Sequence, residues 1–184
     1  GTVPGGNTKR PATNHPLTGA KHSLYEGGIR VPFLARGPGV SKGSSSRVPV
    51  AGYDYLATFF DIAGGKGALG NEVDGVSFKP VLHDPKAKSI NRPQEALIFH
   101  RPGRRESAVR QGKHKLFVKW TTKGEVETRE LYSVDRIPTE EGNDIARKNS
   151  RKADELQSLL VNYLESVNAE KPKPRSKGKK RKKN

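Results

Sequence analysis

Gly19-Ala20-Lys21-His22-Ser23-Leu24-Tyr25-Glu26-Gly27-Gly28-Ile29-Arg30-Val31-Pro32 decides how this chain is read. One lysine, Lys21, sits in a polar loop that begins with a glycine. Tyr25 and Glu26 follow, and then Gly27-Gly28, a pair that permits a tight backbone turn. The apolar run from Ile29 to Ala35 reads as a buried strand. A loop that leads to a strand and offers one cation is suited to holding an anion. On residue type alone the simpler reading of Lys21 is a solvated surface lysine, because charged side chains are mostly exposed.

Working outward, residues 1–20 are rich in Gly, Pro, Thr and Asn and read as loop. Gly37-Pro38-Gly39 ends the strand expected over 29–36. A short helix is expected from Asp54 to Ala63, with Asp54 as N-cap and Gly64 as a left-handed C-terminal stop. Leu56, Phe59, Phe60 and Ala63 fall on one face of it. Asp74-Gly75 reads as a turn, and residues 83–93 as a linker with Pro85 and Pro93.

Beyond the linker the period changes to that of strands. Ala96–Phe99, Ser107–Arg110, Lys115–Trp120 and a segment near Glu127–Tyr132 predict a four-stranded antiparallel meander. In the third, Leu116, Val118 and Trp120 share a face and Phe117 takes the other. Residues 151–168 predict a helix whose stripe of Leu156, Leu159, Leu160, Tyr163, Leu164 and Val167 packs on the meander.

The bulk numbers limit the alternatives. There are 184 residues, with 32 % hydrophobic and a formal net charge of +16. Residues 171–184 hold nine Lys or Arg and no acid, which leaves +7 for the rest. This tail reads as low-complexity and disordered. There is no cysteine, so neither a disulfide framework nor a cysteine metal site is available. No apolar run is long enough to cross a membrane, and the first residues show no signal-peptide pattern.

The stretch at Lys21 resembles G-x-K-x-x-x-Y-E-G-G-x-R-V-P of the type I, formylglycine-dependent sulfatases of the alkaline phosphatase superfamily. The resemblance continues through Val73-Asp74-Gly75-Val76-Ser77, through Ala108-Val109-Arg110-Gln111-Gly112-Lys113-His114-Lys115-Leu116 and Glu130-Leu131-Tyr132, and into Ile137-Pro138-Thr139-Glu140-Glu141-Gly142-Asn143-Asp144-Ile145-Ala146. It covers about residues 1–168. Ala57 departs from it, where the family usually has proline. The resemblance implies an α/β chain: the C-terminal end of a sulfatase catalytic domain over 1–84, a C-terminal subdomain over 94–168 made of a small four-stranded antiparallel sheet packed by a C-terminal helix, and a basic tail over 169–184.

It also implies roles. Lys21 corresponds to the lysine that touches the sulfate and stabilises charge on its oxygens. His22, beside it, either lines the site or is solvated. His100, in a segment similar to F-x-H-x-P, either contacts the substrate or does other polar work. Arg101, Arg104 and Arg105 are candidates for reading an anionic substrate, with solvation the simpler reading of each. Arg30 is expected to pair with a carboxylate such as Glu26 or Asp54. Calcium and formylglycine serve the intact family, but no Cys/Ser-x-Pro-x-Arg motif occurs here. The calcium-binding Asp-Asn or Asp-His pair would precede Gly1, so no metal ligand and no cofactor are assigned to this chain. The expectation is therefore a C-terminal fragment of a sulfuric ester hydrolase acting on sulfated carbohydrate or aryl sulfate esters, inactive without its missing N-terminal sulfatase portion. Family members are often secreted or periplasmic. The alternative is polyanion or nucleic-acid binding through residues 171–184.

Overall fold

The computed structural model describes residues 14–135 and 139–172. The expectations for Gly1, Ile137-Pro138 and residues 173–184 lie outside them. Four strands carry the fold: β1 (Ala96–Arg101), β2 (Glu106–Gln111), β3 (His114–Trp120) and β4 (Val126–Ser133). They pair in the order β1-β2-β3-β4, an antiparallel meander as the alternation predicts. Connections are short. Gly112-Lys113 joins β2 to β3, and Thr121 caps the β3–β4 turn by accepting the Lys123 and Glu125 N–H groups on its hydroxyl (3.2 and 3.1 Å).

The centre of the meander is covered on both sides. Lys115, Leu116, Phe117, Val118 and Trp120 of β3 are all buried. On one face Phe117, Ala108 and Tyr132 form a cluster with Leu24 and Val134, and Tyr25, Ile29 and Phe99 pack against it. The Tyr25 ring stacks on Phe117 at 4.7 Å between centroids and meets Tyr132 edge-on at 6.3 Å. The residues around Lys21 are therefore anchored to the sheet by the two that follow Ser23.

Helix α4 (Ser150–Ser166) packs against β4 and buries Ala153, Leu156 and Leu160. Fully burying a leucine contributes about 1.5–3 kcal/mol, so these two leucines alone make α4 a stable element. Arg129 of β4 fixes its register, reaching Asp154 (2.6 Å) and Gln157 (3.0 Å). Leu159, Tyr163 and Leu164 are half-buried, and Val167 lies exposed beyond the helix end.

The described residues fall into two compact units. One comprises residues up to 29 with 98–109 and 115 onward, and the other 30–97 with 110–114. The residues before Arg30 thus cluster with the sheet, not with the segment that follows them.

Two expectations are corrected in the second unit and at its border. Residues 29–36 are not a buried strand. Ile29 ends a single helical turn, α1 (Glu26–Ile29), and residues 30–36 form no regular element. Leu34 is 95 % exposed and Val31 75 %. A strand needs a neighbour for its N–H and C=O groups, and no described strand pairs with this run. Asp54 is not an N-cap either. It is the first residue of α2 (Asp54–Ile62), which has Tyr53 as N-cap without a side-chain bond. The Asp54 carboxylate is buried, accepts the Ala51 and Val76 N–H groups (2.7 and 3.1 Å), and receives the Arg92 guanidinium at 2.5 Å.

The helix consequently buries its polar side: Asp54, Ala57 and Thr58, the last accepting the Phe78 N–H at 3.0 Å. Leu56 and Phe59, on its apolar face, are exposed. Its end is as expected. Gly64, at φ +77°, donates to Asp61 and Gly65 donates to Phe60, a Schellman stop. Helix α3 (Lys79–His83) packs on α2, and Lys79 reaches the Asp61 carboxylate at 2.9 Å.

Candidate functional site

Lys21 and His22 occupy the two central positions of a turn closed by the Ser23 N–H donating to the Ala20 carbonyl (2.9 Å). Both residues are exposed. His22 has φ +70°, a conformation uncommon for a side-chain-bearing residue. Its carbonyl accepts a hydrogen bond from the Arg101 guanidinium at the end of β1. The turn is thus tied to the sheet by its backbone, leaving the lysine ammonium outward.

The chain after the turn explains its rigidity. Gly27 donates to the Thr18 carbonyl (2.8 Å) and Gly28 to that of Tyr25 (2.8 Å). Neither glycine has positive φ; they are needed for space. A β-carbon on Gly27 would lie 2.3 Å from the Gly19 carbonyl oxygen, and one on Gly28 would lie 2.2 Å from that of Ser23. The pair therefore lets residues 18–23 pass directly over α1.

Beneath the turn is a buried charge cluster. The Lys115 ammonium donates to Glu26 (3.0 Å) and Glu140 (2.7 Å), and all three side chains are buried. The Glu26 backbone N–H also donates to the Glu140 carboxylate (2.9 Å). Glu140 in turn donates its own N–H to the Thr18 hydroxyl (2.9 Å). Burial pushes the Glu140 carboxyl above the usual carboxylate range, against the opposing pull of Lys115. The Lys115 ammonium is shared between the two carboxylates. Nearby, the Tyr25 and Tyr132 hydroxyls both donate to Glu130 (3.0 and 2.7 Å). Burial, reinforced by that carboxylate, raises both phenols above the ordinary tyrosine value.

His100 is held within the fold. Its Nε2 lies 2.7 Å from the Glu170 carbonyl and its Nδ1 2.7 Å from the Ser107 hydroxyl. Ser107 also accepts the Trp120 indole N–H at 2.8 Å. A carbonyl only accepts, so Nε2 carries a proton and donates to Glu170. Both ring nitrogens are engaged within the fold. Of the three residues singled out in the sequence, Lys21 and His22 share one exposed turn. His100 is linked to that turn through its neighbour Arg101.

The cluster of Lys115, Glu26 and Glu140 went unseen in the sequence, although one signal was present. Lys115 has the same parity in β3 as Phe117, the inward position of that face. A lysine there must find carboxylates, because an unpaired buried charge is costly. Lys115 pairs with Glu26, and Arg92 pairs with Asp54. Among the described residues no group of three or more His, Cys, Asp or Glu side chains is arranged to hold a metal ion.

Comparison with known proteins places these features. A family model described as N-sulphoglucosamine sulphohydrolase, C-terminal, matches residues 19–170. A sulfatase of Formosa agariphila is 30 % identical over 169 residues, covering 84 % of this chain and 30 % of its own length. The N-acetylglucosamine-6-sulfatase of Capra hircus is 45 % identical over 62 residues, 34 % of this chain and 11 % of that protein. The crystal structure of Ps i-CgsB in complex with k-i-k-neocarrahexaose superimposes with a TM-score of 0.66 at 25 % identity, over 88 % of this chain and 34 % of that one. The chain thus spans about a third or less of the relatives it matches. With the lysine turn, the α1 glycines and the meander all inside the matched region, the chain belongs to the N-sulphoglucosamine sulphohydrolase C-terminal family and is a sulfatase C-terminal portion.

Proposed function

We propose that this chain supplies the sulfate-binding lysine and the substrate-facing C-terminal portion of a sulfuric ester hydrolase that acts on sulfated carbohydrate. The observation that carries the reading is Lys21, exposed at a turn that Arg101, α1 and the Lys115 cluster hold in place, inside a region matched by a sulfatase family. A compact ammonium fixed in this way stabilises negative charge as it grows on sulfate oxygens. Carbohydrate is favoured over aryl esters by the names of the relatives, which include N-acetylglucosamine-6-sulfatase and an ulvan-active sulfatase, and by the saccharide bound to Ps i-CgsB.

Hydrolysis also needs a nucleophile, and this chain has no cysteine and no Ser-x-Pro-x-Arg from which formylglycine is made. On this reading it is inert alone and works together with an N-terminal sulfatase portion. The test is to join it to the N-terminal part of the Formosa sulfatase and assay sulfate release from sulfated oligosaccharides. Turnover is expected only in the joined protein, and Lys21→Ala should lower kcat by about 10²–10³. Turnover by this chain alone, or a joined enzyme indifferent to Lys21→Ala, would refute the reading.

A further inference from the structure

The end of the sheet at which β1 leaves and β4 enters carries more cations than the lysine turn uses. A 3-10 turn, Pro102–Arg104, follows β1 directly, and Arg105 comes next at φ +57°. The Arg105 carbonyl accepts the Trp120 backbone N–H (2.9 Å), which ties this connection to the end of β3. Between them lies an open depression of about 200 Å³ lined by Arg104, Arg105, Glu106, Lys119, Trp120 and Glu127 among others. Arg104, Lys119 and Glu127 are exposed, and Arg105 and Glu106 are half-buried. The Lys119 ammonium stands 5.9 Å from the Phe117 ring centroid, so it lies on the face of the sheet that Tyr25 covers. Arg101, which holds the His22 carbonyl, immediately precedes the 3-10 turn. One short connection thus serves both the lysine turn and the depression.

We propose that this depression is a second, anionic-saccharide subsite. It takes a sulfate or carboxylate on a sugar adjoining the one whose ester faces Lys21, and so rests on the sulfatase reading above. Arg104 and Arg105 offer planar forks that pair with two oxygens of one anionic group, and Lys119 adds a point charge. Glu106 and Glu127 lie among these cations. A purely cationic surface would take any polyanion, whereas interspersed carboxylates accept hydrogen bonds from sugar hydroxyls. The mixture suits a hydroxyl-rich chain with separate anionic groups.

Trp120 is the only tryptophan and lines the depression, so its indole N–H resonance reports binding there. The complete chain would be titrated with three tetrasaccharides: one from carrageenan with sulfate only, one from hyaluronan with carboxylate only, and neutral chitotetraose. A saturable indole shift is expected with at least one anionic tetrasaccharide and none with chitotetraose; which one acts names the anion. Arg104→Ala with Lys119→Ala should weaken it at least about tenfold. Both residues are exposed, and an unchanged indole resonance in the free variant verifies its fold. No shift with either anion, an equal shift with chitotetraose, or unchanged affinity in the double variant would overturn the subsite. The binding readout needs no turnover, so its failure is distinct from failure of the Lys21 assay.

Discussion

Lys115 is the residue on which the presentation of Lys21 depends. Its ammonium is the shared partner of two buried carboxylates, one on α1 beneath the lysine turn and one, Glu140, that also holds Thr18. Replacing it by methionine removes the ammonium that both buried carboxylates share. Lys115→Met should therefore destabilise by about 3–5 kcal/mol in urea unfolding. Adding Glu26→Gln and Glu140→Gln should recover part of that loss; no recovery would mean that the cost is packing alone. Glu140 adds a pH signature. Its carboxyl is raised in the folded state, so the folded protein holds that proton more tightly than the unfolded chain. The contribution is present below the ordinary value of 4.5 and is lost as pH rises from there through the folded value. The stability of the native chain minus that of Glu140→Gln should fall with rising pH in that window, and a rise would show that Lys115 outweighs burial. At this scale the sequence was partly legible. Lys21 and His100 both stood out through the segments around them, and the contacts of His100 with Ser107 and Glu170 were not readable there.

At the scale of elements, legibility followed the partners available. All four strands were readable because each alternates against a neighbour in the same meander, and α4 because its apolar stripe meets β4. The run from Val31 to Leu34 and α2 misled for one reason: apolar residues were taken to mark the inside, yet Val31, Leu34, Leu56 and Phe59 are exposed while the polar side of α2 is buried. The α1 glycines show another gap, since sequence suggests a turn and the structure shows a close approach. Gly27→Ala or Gly28→Ala should cost about 1–3 kcal/mol through overpacking against the 19–23 backbone. Either should also move the Lys21 amide resonance. Gly64→Ala supplies the contrast. Its cost, about 1–2 kcal/mol, comes from a left-handed φ at the end of α2. It should leave the Lys21 amide unmoved. Equal effects of the two on Lys21 would refute the idea that the α1 glycines hold the turn.

For the whole molecule the outward apolar residues become informative. Val31 and Leu34, together with Leu56, Phe59 and Ile62 of α2, are exposed within one compact unit. Scattered surface leucines need no explanation, but this many large side chains in one unit exceeds what a solvated surface requires. The relatives are about three times as long as this chain or more, and the proposed function calls for a further portion carrying the nucleophile. On the proposed function, the exposed apolar side chains of this unit offer that portion a surface to pack against. Leu34→Glu with Phe59→Glu tests this. Both residues are exposed, so the stability of the chain alone should change by no more than about 0.5 kcal/mol, and the Trp120 resonance should stay where it is. Association with a separately produced N-terminal sulfatase portion, followed by calorimetry, should weaken at least about tenfold, because two apolar contacts become buried charges. Sulfate release by the mixture should fall with it and return at high concentrations of the partner. Undiminished association would mean that the portions meet elsewhere, and the exposed side of α2 would then need another explanation.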